Sequence, residues 1–322
     1  MSDHIDLFGE QFQRIVANVE TVIQGKRDVV ELLLLALIAE GHVLVEDVPG
    51  VGKTQLAKSL ARSIEGAFHR IQFTPDLLPS DVTGVSVWDR ERREFEFKPG
   101  PIFANIVVGD EINRASPKTQ SALLEAMEER QVTSDGTTRT VPLPFMVLAT
   151  QNPLEHEGTY PLPEAQLDRF MMRVVIGYPE RAKELEMLET HGIRSTFFDL
   201  EPVATLDDVD ELIQVARDLT VSAGVKDYII DLVEGTRVHP DVMLGASPRS
   251  ALFLQRLARA RAASKGRDYV LPDDIKALAR PVLDHRITLR PEAQMRGETV
   301  GAVIDGLLTR LRVPGTTSRI AT

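Results

Sequence analysis

The chain has 322 residues and a formal net charge of −11, from 37 lysines and arginines against 48 aspartates and glutamates. It is 43% hydrophobic and contains no cysteine, which excludes a disordered chain, a disulfide scaffold, a thiolate metal site and a cysteine nucleophile. The acidic balance disfavours binding to a phosphate backbone, so we expect no nucleic-acid partner. A chain of this length is expected to form two domains.

The amino-terminal segment has four acidic residues among its first twenty and lacks the basic and apolar regions of a signal peptide. The most apolar segment, residues 29–39, contains Glu31 and is shorter than the ~20 residues needed to span a bilayer. It predicts a buried helix. We therefore expect a cytoplasmic protein with no transmembrane segment.

Residues 25–179 alternate short apolar runs with helical patterns, which is typical of a parallel sheet covered by helices. The predicted strands of this sheet are residues 42–46, 70–73, 106–109, 145–150 and 173–176. Two other segments, residues 85–97 and 131–145, have β-type residues on either side of a charged turn and predict hairpin insertions.

After Pro179 only helical spacing remains, which predicts a helical second domain. One helix is predicted to start with Ser247 as N-cap and Pro248 in the first turn, and another to start near Pro272. Pro281 should end or kink the latter helix. We divide the chain into an α/β core at 1–195 and a helical domain at 196–322.

A glycine-rich loop follows the first predicted strand and precedes a helical pattern. Its residues are Asp47, Val48, Pro49, Gly50, Val51, Gly52, Lys53 and Thr54, with Gln55 next in the helix. This loop resembles a Walker A motif, in which backbone N–H groups surround phosphate oxygens, Lys53 reaches the β- and γ-phosphates and Thr54 binds Mg²⁺. Asp47 departs from the usual pattern, which has glycine there. A plain glycine-rich turn with a surface lysine is the alternative.

An apolar strand ending in two acids, Asp110 and Glu111, resembles a Walker B motif. Asp110 would hold Mg²⁺ through water, and Glu111 would orient or polarise the water that attacks the γ-phosphate. An Asp-Glu pair after a strand is common, so its meaning depends on the glycine-rich loop. Together the two motifs predict ATP hydrolysis.

The chain resembles the MoxR family of AAA+ ATPases along nearly its whole length. The stretches that carry the resemblance are residues 71–81, 110–115, 118–128, 149–153, 158–170 and 245–249. The resemblance implies an α/β P-loop NTPase core with a five-stranded parallel sheet and a carboxy-terminal all-helical lid. It also implies ATP hydrolysis with Mg²⁺ in a ring of six subunits, and chaperone-like remodelling or maturation of a partner. That partner would be a von Willebrand factor A domain protein or another client.

The resemblance also assigns roles to single residues. Asn152 matches sensor 1, beside the attacking water, and Arg169 matches the arginine finger that reaches the ATP of a neighbouring subunit. Arg249 matches sensor 2, which contacts the γ-phosphate of its own subunit. Gly25 lies in a stretch, residues 22–25, that resembles the lining of the adenine pocket or is a plain loop before a buried helix. Gln72 would restrain the Walker B glutamate. Without the resemblance, an asparagine before proline is an ordinary turn former and each arginine an ordinary ion-pair partner or surface residue.

Two other functions stay open at this point. One is a motor subunit like the magnesium chelatase ATPase, acting in metal insertion. The other is a nucleotide-gated binding module that does not hydrolyse ATP, for which Asp47 is the argument. Trp88, the single tryptophan, lies in the first hairpin and is either a partner contact or packed within the hairpin.

Overall fold

The computed structural model describes residues 2–48, 50–151, 159–179, 181–182, 185 and 196–314. Five strands form one parallel sheet, in the spatial order Phe68–Gln72 (β2), Ile106–Asp110 (β5), Met146–Gln151 (β8), Val43–Glu46 (β1) and Met172–Val174 (β9). The five predicted strands are confirmed, and their ends differ from the prediction by one or two residues.

The three central strands, β5, β8 and β1, are mostly buried because both faces of the sheet are covered there, whereas the edge strand β2 is largely exposed. Alternate residues face opposite sides, so Val43 and Val45 join one hydrophobic cluster while Leu44 joins the other. The first cluster includes residues of three helices, Ser2–Glu20 (α1), Arg27–Ile38 (α2) and Lys53–Ser63 (α3). The second includes residues of Pro79–Thr83 (α4) and Pro117–Glu129 (α5). The predicted buried helix at 29–39 is therefore α2.

Both predicted hairpins are present as antiparallel pairs. The first joins Gly84–Asp89 (β3) to Glu94–Pro99 (β4), and the second joins Gln131–Ser134 (β6) to Thr137–Thr140 (β7). In the second hairpin Asp135 and Gly136 have φ of 53° and 71°, the left-handed values that a tight two-residue hairpin turn needs.

The carboxy-terminal part of the chain is mainly helical. After the short helix Glu164–Leu167 (α6) come Leu206–Asp218 (α7), Ala223–Val238 (α8), Pro248–Ser264 (α9), Pro272–Leu283 (α10), Pro291–Met295 (α11) and Val300–Arg310 (α12). A small antiparallel pair, Val242–Leu244 (β10) and Thr288–Leu289 (β11), lies among these helices. Helices α9 and α10 start where predicted, and α10 ends two residues after Pro281.

The helical region, residues 206–310, packs directly on the amino-terminal helices. Phe12 of α1, Leu34 of α2 and Leu257 of α9 belong to one continuous hydrophobic cluster. Arg173 of β9 adds a polar connection, because its guanidinium contacts Glu46 of β1 at 2.8 Å and Asp284 beyond α10 at 3.3 Å. Among the residues described, none of the helices is long and apolar enough to cross a membrane.

Candidate nucleotide-binding site

The carboxyl ends of β1 and β5 open into a cleft of about 490 Å³. This is the edge of an α/β sheet where ligands usually bind. The cleft is lined by Asp47, Gly50, Gly52, Lys53, Thr54, Gln55, Lys58, Arg70, Gln72, Asp110, Glu111 and Thr150. The structure thus brings the two predicted phosphate-site motifs together, and we call this space the phosphate cleft.

The glycine-rich loop has the backbone shape of a phosphate-binding loop. Gly50 and Gly52 both have φ of +86°, a conformation that side-chain-bearing residues rarely adopt, and Gly52 caps α3. The first N–H groups of α3 therefore point into the cleft, where an anion can accept them. Val51 is half-buried against the hydrophobic cluster, and Pro49 lies outside the described residues.

Asp47 anchors this loop to the segment after β9. Its side chain is buried, and its carboxylate accepts three backbone N–H groups, from Val48 at 2.8 Å, Ile176 at 2.7 Å and Gly177 at 2.5 Å. Its carbonyl oxygen accepts the Lys53 ammonium at 2.6 Å. The aspartate that departs from the Walker A pattern is thus an anchor for the loop.

Lys53 is a partly buried cation in an acidic setting. Burial lowers its pKa, and the carboxylates of Asp47, Asp110 and Glu111 act in the opposite direction. Phosphate oxygens in the cleft would supply the further negative charge that a partly buried ammonium favours.

Asp110 lies at the end of β5 with its carboxylate facing the cleft. Arg70 Nε donates to it at 2.6 Å, and the Thr150 hydroxyl donates to it at 3.2 Å. Sequence reasoning missed both partners. Their signal is positional, since Arg70 lies two residues before Gln72 on β2 and Thr150 lies near the end of β8. Residues two apart on a strand share a face.

Glu111 has an unusual backbone conformation for a glutamate, with φ of 58° and ψ of 48°. Such a left-handed residue carries a conformational cost and is common at functional sites. Its N–H donates to the Thr150 hydroxyl at 3.0 Å, and its carboxylate accepts the Gln72 amide at 2.9 Å. Arg114 lies 3.3 Å from the same carboxylate. The expected contact between Gln72 and Glu111 is therefore present.

The residues present suit Mg²⁺. Thr54 and Asp110 line one cleft and offer a hydroxyl and a carboxylate oxygen. Mg²⁺ prefers oxygen ligands and usually combines one or two carboxylates with substrate phosphates and water. These two side chains are the protein ligands that such a site would use.

Gly25 lies in a neighbouring cleft of about 600 Å³, next to Lys26. The Lys26 ammonium donates to the carbonyl oxygens of Ile176 at 2.6 Å and Tyr178 at 2.8 Å. This is the same segment that Asp47 holds. The predicted adenine-pocket stretch and the phosphate loop are therefore connected through residues 176–178.

Arg169 and Arg249 lie in a third cleft of about 240 Å³, which we call the arginine cleft. Both contact the carboxylate of Glu128, Arg169 at 2.8 Å and Arg249 at 2.6 Å. Arg249 is not among the residues that line the phosphate cleft of its own chain, and its expected contact with the γ-phosphate stays a prediction. Asn152, the predicted sensor 1, lies outside the described residues.

The position of Arg249 follows from the contacts of Asp168. The Ser247 hydroxyl donates to both carboxylate oxygens of Asp168, at 2.8 and 2.9 Å, so the start of α9 is tied to the residue preceding Arg169. Arg286 Nε also donates to Asp168, at 2.9 Å. The Arg286 side chain is 2% exposed, and burial lowers its pKa to about 10, with Asp168 acting in the opposite direction. Arg286 therefore stays charged at neutral pH.

Comparison with known proteins agrees with this fold. The model of the ATPase family associated with various cellular activities (AAA) matches residues 42–172, and the model of the AAA lid domain matches residues 234–307. The first match covers four strands of the sheet and both phosphate-site motifs. The protein is thus built as an AAA ATPase with a lid domain.

The relatives define the family more closely. YeaC from Bacillus subtilis is 51% identical over 94% of both chains, and the chaperone MoxR1 from Mycobacterium tuberculosis is 40% identical over 94% of this chain and 82% of its own length. A solved structure of a candidate ATPase from Cytophaga hutchinsonii superposes with a TM-score of 0.91 at 39% identity, over 97% of each chain. The chain belongs to the MoxR family of AAA+ ATPases.

Proposed function

We propose that this protein hydrolyses ATP with Mg²⁺ and uses the energy to remodel or mature partner proteins as a chaperone-like ring. The observation that carries the proposal is the meeting of Lys53, Thr54, Asp110 and Glu111 in one cleft at the end of the sheet. We also propose that the core and lid domains divide at residues 195 and 196, and that the protein works in the cytoplasm.

In this proposal each residue of the phosphate cleft has a defined task. The N–H groups at Gly52 and the start of α3 bind phosphate oxygens, and Lys53 neutralises them. Thr54 and Asp110 would hold Mg²⁺, which would supply positive charge to the phosphates. Glu111 accepts a proton from the attacking water once its hydrogen bond with Gln72 is released.

We propose further that Arg169 and Arg249 both reach the nucleotide of a neighbouring subunit. They lie together in the arginine cleft and outside the phosphate cleft of their own chain. A composite site of this kind makes assembly a condition for turnover, and positive charge brought to the γ-phosphate stabilises the transition state. Family resemblance supports a ring of six.

The partner we propose is a protein, either one with a von Willebrand factor A domain or another client. The name of the relative MoxR1, a chaperone, supports this class of partner. The first hairpin offers a contact surface, because Trp88 is 48% exposed and packs edge-on against Phe95, 70% exposed, with ring centroids 5.1 Å apart. The alternative, a non-hydrolysing module, would bind ATP without releasing phosphate. The backbone N–H groups that donate to Asp47 support a role for this residue as an anchor of the loop.

The proposal is tested by phosphate release from ATP and Mg²⁺ across a range of protein concentrations, with particle size followed in parallel. Specific activity should rise with concentration. Glu111→Gln should bind ATP but turn over about 100-fold or more slowly, because it lacks the general base. Arg169→Ala should lose about 1,000-fold. The matched control, Glu129→Gln, should keep full activity. Unchanged turnover in Glu111→Gln would refute the proposed mechanism.

A further inference from the structure

Glu128 lies in the last turn of α5, with its carboxylate between two arginines from distant parts of the chain. One oxygen is 2.8 Å from Arg169 Nε, and the other is 2.6 Å from a terminal guanidinium nitrogen of Arg249. About a third of the Glu128 side chain is exposed. The carboxylate therefore holds two cations side by side at an accessible cleft.

The backbones that carry these arginines are fixed separately. Arg169 follows Asp168, and Arg249 lies two residues after Ser247, whose hydroxyl donates to Asp168. Asp168 is itself held by the buried Arg286. Asp168 thus fixes the backbone positions of Arg169 and Arg249, while Glu128 fixes the positions of their guanidinium groups.

The charges in the arginine cleft favour an ionised Glu128. Burial raises its pKa, but hydrogen bonds and charges from Arg249 and Arg169 hold the pKa below its ordinary value. Arg130 and Arg256 also line the cleft, and its other acid, Glu40, is engaged by Arg130 at 2.6 Å. Without Glu128 the guanidinium groups of Arg169 and Arg249 would repel each other and lose their common anchor.

We propose that Glu128 is a positioning residue that holds Arg169 and Arg249 as a preformed pair for the phosphate of a neighbouring subunit's nucleotide. This inference depends on the proposed function, in which the two arginines act across the interface. A phosphate, like a carboxylate, can accept two parallel hydrogen bonds from a guanidinium group. When subunits meet, the phosphate replaces Glu128 as the acceptor of the two guanidinium groups. Because Glu128 has already placed these groups side by side, less entropy is lost in ordering them in the transition state.

Mixing two inactive variants tests this proposal. Lys53→Ala cannot bind nucleotide but keeps its arginines, whereas Arg169→Ala binds nucleotide but lacks the finger. Their mixture should regain ATPase activity at interfaces where the Arg169→Ala subunit supplies an intact phosphate cleft and the Lys53→Ala subunit supplies both arginines. In the second mixture, Lys53→Ala is replaced by Lys53→Ala/Glu128→Ala. Its regained activity should be lower by about 10- to 100-fold.

Three controls separate positioning from folding. Lys53→Ala/Glu129→Ala, changed at the adjacent exposed residue, should restore activity as fully as Lys53→Ala. Glu128→Ala alone should bind a fluorescent ATP analogue with unchanged affinity and assemble to the same size, so that kcat falls without a change in nucleotide affinity. The isosteric Glu128→Gln should lower kcat in the same way, and it replaces Glu128→Ala if that variant does not fold.

The outcomes point to different failures. If the first mixture shows no restored activity, the arginines do not act across subunits, and the proposed composite site is wrong. If the first mixture is active and the Glu128→Ala mixture is equally or more active, Glu128 does not position the pair, and the inference is overturned. Loss of analogue binding in both Glu128 variants also overturns it, since the residue would then support its own subunit's phosphate cleft.

Discussion

Replacing Asp47 by glycine restores the usual Walker A pattern, yet we expect it to weaken the site. The buried carboxylate accepts the N–H groups of Ile176 and Gly177, at 2.7 and 2.5 Å. Without it both donors lose their partner, and each unsatisfied buried group costs about 1–3 kcal/mol. Asp47→Gly should therefore lower the free energy of unfolding by about 2–6 kcal/mol. A freer loop should also bind nucleotide more weakly, because it must be ordered on binding.

The measurements are urea unfolding and titration with a fluorescent ATP analogue. Asp47→Asn is the matched control. Its amide oxygen can still accept a backbone N–H, but its NH₂ group is a donor and cannot replace the second carboxylate oxygen as an acceptor. Its stability and affinity should fall between those of the parent and Asp47→Gly. If Asp47→Gly binds the analogue more tightly and unfolds at the same urea concentration as the parent, the anchoring role of Asp47 is refuted.

Two further predictions concern the fold around the site. The buried His42 ring accepts the N–H of Val147 through Nδ1, and its Nε2 lies within hydrogen-bond distance of the Met127 carbonyl oxygen. Burial lowers the pKa of His42 to about 4, so as the pH falls this side chain takes up a proton in the unfolded chain before it does so in the folded one. Between pH 6.5 and 4 the free energy of unfolding should fall by about 3 kcal/mol from this residue, and a His42→Gln variant with the same pH profile would contradict this. Asp168→Ala leaves Arg286 buried and unpaired and should cost about 3–5 kcal/mol in urea unfolding, partly recovered in Asp168→Ala/Arg286→Met.

The sheet and the phosphate cleft were predictable because their signals are local. A strand buried on both faces is a short apolar run, and residues 106–110 are buried throughout. The glycine-rich loop needs left-handed backbone, which Gly50 and Gly52 provide. The hairpin turn at Asp135 and Gly136 is a local signal of the same kind.

The two contacts of Asp110 that depend on strand register were not predicted. In the pairing of β2 with β5, Gln72 lies opposite Asp110. Arg70 is two residues before Gln72 and therefore on the same face of the sheet, from where its side chain reaches Asp110. The role of Thr150 likewise follows from the alignment of β8 beside β5. Arg70 belongs to no motif of the sequence, and Thr150 lies in the stretch 149–153 without a role that the sequence assigns to it.

The location of Arg249 was unpredictable for another reason. Ser247 has the sequence signature of a helix N-cap, and it does occupy that position, but its side chain accepts no backbone N–H of the helix, and its hydroxyl donates to Asp168. That choice depends on how the helical region packs on the core. Sequence spacing fixes where α9 starts but not the direction in which its first turn faces.

The segment that carries Arg169 also supports the phosphate loop. After Arg169 the chain enters β9, which pairs with β1, and then reaches residues 176–177, where the Asp47 carboxylate is bound. One short stretch thus links Arg169, which we propose acts on a neighbour's nucleotide, with the loop that we propose holds this subunit's own phosphates. Because β9 is paired along its length, a displacement of the loop would move the stretch as a unit. In the ring proposed above, this stretch would connect the phosphate loop of one subunit with the arginine that the proposal directs to the next subunit.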